Sequence, residues 1–168
     1  MFLFDLFKKK KTLYSEEIEE ESLEEAYDIV SDMYDSLCEK CNYGDSMDAL
    51  NEYERVIYIV QELESEVNNG GFSQFFYNSS GNFSNEVADA FTKIGAIKTA
   101  TICKKALAPF GGRLPVDREE RCELLDSLDS DKIESILEKC DDAFFEYEDD
   151  LEKLNYEYII KNKTHFSK

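Results

Sequence analysis

The chain has 168 residues, enough for one domain with a sizeable core. Hydrophobic residues make up 42% and charged residues 34%, a globular rather than a disordered balance, and two prolines with seven glycines leave few breaks in a helical pattern. The net charge of −19 argues against nucleic acid as a direct partner, because phosphates would be repelled, and leaves a basic partner, a cation or plain solubility.

Residues 1–21 read as an N-terminal arm. Met1 to Phe7 is apolar and Lys8 to Lys11 basic, too short for a signal peptide or a stable membrane insertion. Ser22 and Glu25 form a capping box that predicts a helix from Leu23. Leu23, Ala26, Tyr27, Val30, Met33, Tyr34, Leu37 and Cys41 keep helical spacing on its inner side. Glu24, Glu25, Asp28, Asp32, Asp35 and Glu39 share the other side, about one carboxylate per 4 Å of axis. One DNA strand carries a phosphate about every 3.4 Å, so two such faces could imitate a duplex. An ordinary solvated face would mix signs, yet no base lies between Lys11 and Lys40.

Asn42-Tyr43-Gly44 breaks the chain, and Ser46 or Asp48 starts a second helix with Leu50, Tyr53, Val56, Ile57, Val60, Leu63 and Val67 inward. Arg55, the only base in it, is expected to pair with Glu52 or Glu54. Asn69-Gly70-Gly71 reads as a helix end and a sharp turn, since Asn and Gly tolerate left-handed backbone. Phe72, Phe75 and Phe76 then fit the buried side of a short helix. Gln74 and Asn78, beside that junction, need hydrogen-bond partners.

The run Val67-Asn68-Asn69-Gly70-Gly71-Phe72-Ser73-Gln74-Phe75-Phe76-Tyr77-Asn78, with Asn51-Glu52-Tyr53-Glu54-Arg55 before it and Lys93-Ile94-Gly95-Ala96 after it, resembles a bacterial family of domains whose best-known member is a DNA-mimic protein. The resemblance covers roughly residues 45–110. It implies an all-helical cytoplasmic protein. The DNA-mimic member is dimeric and presents carboxylates to a DNA-binding protein. No catalytic chemistry carries over, and the shared motif Asn68, Asn69, Gly70, Gly71, Phe72, Gln74, Phe75, Phe76 and Asn78 is expected to serve the fold.

Beyond the loop Asn78 to Asn82, Ser84 is expected to cap a helix with Val87, Phe91 and Ile94 inward, stopped by Gly95. Residues 97–107 form another, with Ile97, Ala100, Ile102, Cys103 and Leu107 largely inward and Pro109 ending it. Between Lys93 and Arg121 stand seven bases (Lys93, Lys98, Lys104, Lys105, Arg113, Arg118, Arg121) and three acids, a basic patch for an acidic helix of a second subunit or scattered surface charge. Asp117 to Glu120 opens a helix with Cys122, Leu125 and Leu128 inward. Ser130 caps a long final helix to about Lys161, and Glu134, Glu138, Asp141, Asp142, Glu148, Asp149 and Glu152 make a second acidic strip. The tail is 163–168.

The fold class is thus all-α, a single compact domain over 22–162 of about six helices with a long acidic C-terminal one. Five scattered cysteines and no secretion signal fit reduced thiols in the cytoplasm. No cofactor or metal is expected. Cys38-x-x-Cys41 has no second close pair, and the only histidine, His165, sits in the tail. That position also suits no triad, and neither a phosphate loop nor a calcium loop is spelled out. The reading is a non-enzymatic acidic protein, a DNA mimic for a basic DNA-binding partner and a candidate homodimer. Its partner surface would be Glu24, Glu25, Asp28, Asp32, Asp35, Glu39, Glu138, Asp141, Asp142 and Asp149. The alternatives are a ligand-binding module or enzyme centred on Asn68 to Asn78, and a toxin-neutralising immunity protein.

Overall fold

A computed structural model describes residues 20–128 and 130–166; the side chains of residues 20–24 and 130 lie outside the description. Residues 1–19 of the expected arm, the Ser22–Glu25 capping box and the side chain of Glu24 therefore fall outside it, whereas Glu20 and Glu21, expected in the arm, are helical. Among the described residues there are seven α-helices and no strand: α1 Glu20–Lys40, α2 Glu52–Tyr77, α3 Val87–Ile94, α4 Ile97–Leu107, α5 Arg118–Asp126, α6 Ser130–Phe145 and α7 Leu151–Lys161. The all-α expectation holds. No helix among the described residues is long and apolar enough to cross a membrane.

The fold is arranged around α2. Five consecutive residues, Val56 to Val60, are all buried, so this helix is apolar on every side there. α1, α3, α5 and α6 pack around it, and α7 closes the bundle against α1 and α3. The core runs along Ile57, Val60, Leu63 and Val67 into Phe72, Phe75, Phe76, Phe91 and Cys103.

Several boundaries move. α1 is helical from Glu20, earlier than Leu23. Neither Ser46 nor Asp48 starts α2. Leu50 is extended, and Asn51 makes the capping box: its side chain accepts from the Tyr53 and Glu54 amides at 2.9 and 3.1 Å, and Glu54 accepts from the Asn51 amide at 2.9 Å. Ser84 does not cap α3. It is buried at the end of a 3-10 turn and donates to the Gly81 carbonyl. Arg55 pairs with Glu86 in the turn before α3, through two bonds of 2.8 and 2.7 Å, rather than with its helix neighbours. Gly95 ends α3 at φ +94, and Asp117 caps α5 through the Glu120 amide at 3.0 Å, both as expected.

The long final helix is two helices. The chain leaves helix after Phe145, passes Tyr147 at φ +44, and re-enters at Leu151, where Asp150 caps through the Lys153 amide at 3.1 Å. The intervening residues 146–150 are four acids around one tyrosine. Glu148 and Asp149 turn away to reach α4, which a continuous helix would forbid.

Candidate functional site

On α1, Glu25, Asp28, Asp32, Asp35 and Glu39 are all exposed. The row runs about 21 Å along the axis. The one base of the helix, Lys40, reaches away to the buried Glu54 of α2 at 2.7 Å, so it does not neutralise the row. Asp28, Asp32, Asp35 and Glu39 make no ion pair among the described residues. The inner face is Ala26, Ile29, Val30, Met33 and Leu37. Tyr27, expected inward, is 60% exposed; Ile29 fills the core instead.

The second strip divides. Glu138 and Asp142 are exposed on α6. Asp141 and Asp149 are structural: each caps a helix from another part of the chain. Asp141 accepts from the Phe72 amide at 2.7 Å, where the second half of α2 begins. Asp149 accepts from the Thr99 amide at 2.8 Å and the Thr99 hydroxyl at 3.1 Å, at the start of α4. Beside it Glu148 pairs with Lys98 at 2.7 Å. Burial pushes the Asp141 carboxyl above its usual range, although the Phe72 N–H pulls it down.

The motif is a junction inside α2. Gly70 is extended, and Gly71 stands at φ +76, ψ −179, a conformation open only to glycine. A Cβ at Gly71 would also fall onto the Asp141 carboxylate. Phe72, Phe75 and Phe76 are fully buried, as expected. The polar groups of the motif turn to Glu66. Its carboxylate accepts from Gln74 Nε2 at 2.6 Å, from Asn78 Nδ2 at 3.0 Å and from Ser80 Oγ at 2.8 Å. Asn68 and Asn69 are exposed. Asn68 Nδ2 donates to the Tyr147 hydroxyl at 2.6 Å, and that hydroxyl donates to Glu64 at 3.2 Å. Burial raises the Glu64 carboxyl, against the lowering effect of Tyr147 and Gln61.

The basic stretch contains a residue of another kind. Arg121 is completely buried. Its Nε donates to the Phe76 carbonyl at 2.7 Å, Nη1 to Pro115 and Val116 at 3.1 and 2.8 Å, and Nη2 to the Asn78 carbonyl and Asn82 Oδ1 at 2.8 and 3.0 Å. It ties the motif to the loop before α5 and offers nothing to a partner. Lys98 is paired, so the patch reduces to Lys93, Lys104, Lys105, Arg113 and Arg118, whose Nε also donates to the Tyr77 carbonyl. Two other inward expectations fail at the rim: Ile97 is 56% exposed, and Cys122 is half-buried. All five cysteines are free thiols; burial pushes Cys38 up to about 11.

Residues 48–162 match a family model described as DMP19-like protein. No curated protein and no solved structure matches the chain. The match runs beyond the expected stretch of 45–110 to the end of α7, and α1 precedes it. It takes in both trans caps, the glycine junction and Arg121, which together fix how α2 is surrounded. On that match, which spans more than half of the sequence, the chain belongs to the DMP19-like family, named for DNA mimic protein 19.

Proposed function

We propose that this protein is a non-enzymatic DNA mimic of the cytoplasm, whose α1 carboxylates occupy the basic surface with which a DNA-binding protein holds phosphates. The observation that carries the reading is the row Asp28, Asp32, Asp35 and Glu39: exposed, on one helix, and without an ion pair among the described residues. Family membership supports it. Over residues 12–160 there are 37 acids and 12 bases, a net of −25, so the lysines of the two ends conceal a still more negative body. Such a surface steers a basic partner and competes with DNA for it. Glu138 and Asp142 add exposed carboxylates on α6; Asp141 and Asp149 leave the partner surface because they cap helices. Two copies would supply the two charge rows of a duplex.

A ligand site at the motif finds less support. The amides of Gln74 and Asn78, which would have to hold the ligand, already point to Glu66.

The test is affinity capture from lysate at low salt with a salt gradient, followed by competition with duplex DNA. Neutralising Asp28, Asp32 and Asp35 to asparagine should lower affinity for the captured DNA-binding protein by roughly tenfold or more, at about 0.5–1 kcal/mol per carboxylate. These side chains are exposed, so the fold should be unchanged. Binding that ignores both salt and the triple substitution would overturn the reading.

A further inference from the structure

The end of α6 and the loop before α7 expose two aromatic rings within an acidic stretch of chain. Phe145 is 50% exposed and Tyr147 41%. Both lean on the buried Phe144, with centroids 6.5 and 5.6 Å away. Glu146 and Asp150, beside them in the chain, are exposed, and Glu64 lies at the Tyr147 hydroxyl.

Scattered exposed apolar residues are ordinary on any protein. Here three features set the pair apart. Tyr147 sits at φ +44, which a non-glycine residue adopts only when its surroundings enforce it. Its hydroxyl is fixed from α2 by Asn68 at 2.6 Å, which gives an exposed motif residue a task that burial does not explain. The loop is pinned on its far side, where Lys98 holds Glu148 and the Thr99 amide holds Asp149. The Tyr147 ring is therefore presented in one fixed pose, and little of its conformational freedom remains to be lost on binding. Rigid aromatics within a polar rim are the pattern of binding hot spots. The sign of the neighbourhood selects the partner: Glu64, Glu146 and Asp150 lie beside the rings in space or along the chain, and Lys98 on the far side of the loop is already paired.

We propose that Phe145 and Tyr147 form the apolar anchor of the partner surface, and that the element they receive is a basic amphipathic helix, with apolar side chains on the rings and lysines or arginines on the surrounding carboxylates. This rests on the charge-competition reading, to which it adds a component that salt does not screen.

Two synthetic helices of equal charge serve as probes, one of lysine and leucine, one of lysine and alanine. The wild-type protein should bind the leucine peptide more tightly, and the preference should survive rising salt while both affinities fall. Phe145→Ser should cut leucine-peptide binding by about tenfold, the effect of losing about 1.4 kcal/mol at an anchor, and leave alanine-peptide binding unchanged. Asn68→Ala, which removes the shorter of the two hydrogen bonds that hold the Tyr147 hydroxyl, should weaken the same preference without altering the far-ultraviolet spectrum. The α1 triple substitution should weaken both peptides alike, so failure of the charge reading shows there and failure of the anchor shows in Phe145→Ser. Equal binding of the two peptides, or a leucine preference untouched by Phe145→Ser, overturns the proposal.

Discussion

Arg121 shows what a single residue can hide. By sequence it is one base among seven in a short stretch, and charge counting places it on the surface. In the fold it is buried and has no carboxylate partner among the described residues; five oxygens from Phe76, Asn78, Asn82, Pro115 and Val116 take its place. Burial lowers its pKa, but a guanidinium keeps its charge at any ordinary pH. Its fork geometry is what the site uses. Lysine offers three donors at one point and could not reach acceptors on three segments. Arg121→Lys and Arg121→Met should therefore both be strongly destabilising, by at least about 3 kcal/mol, since buried carbonyls lose charged donors and gain nothing. Urea unfolding measures this, and a loss under about 1 kcal/mol would show that water replaces the guanidinium. Nothing near Arg121 in sequence announces its role. The legible signal was on the other side: Gln74 and Asn78 beside two glycines had to find partners, and they did so in Glu66.

At the scale of elements, legibility follows the range of the signal. α4 was read to the residue because its limits are local: Gly95 before it and Pro109 after it. The α6–α7 break was missed because Phe144, Tyr147, Leu151, Leu154 and Tyr158 keep a helical period straight across it. What holds the chain out of helix there is distant: Asp149 lies 50 residues from the Thr99 amide it caps. Asp141, within α6, is equally remote from its partner, 69 residues from the Phe72 amide. No window along the chain sees either pair, and both acids look like surface charge. The distinction is measurable. Asp149→Ala should destabilise the protein by about 1 kcal/mol, the usual effect of a lost cap, whereas Asp142→Ala on the exposed face should change stability by less than about 0.5 kcal/mol. Asp149→Asn should fall between, because it keeps an oxygen for Thr99. Equal effects of the two alanine substitutions would return Asp149 to the acidic surface.

For the whole molecule the charge sets a direction for stability. A net charge of −19 repels itself in the compact state, and the two carboxyls raised by burial add to the effect. Glu64 and Asp141 hold protons in the folded state up to a higher pH than in the unfolded chain, where carboxyls titrate near about 4. In the window between those values the folded state binds more protons, so stability falls as pH rises. The contribution is fully present below the ordinary carboxylate value and is lost as pH climbs through the raised folded values. The protein should accordingly be more stable near about pH 5 than near about pH 8, with the urea midpoint as the readout. Added salt should narrow the difference by screening the surface part and leave the buried part. Glu64→Gln keeps the hydrogen-bonding shape and removes one titration, so its profile should be flatter. A midpoint highest at pH 8 would mean that carboxylates stabilised by the fold outweigh those it strains, and the acidic surface would then be better accommodated than its charge implies.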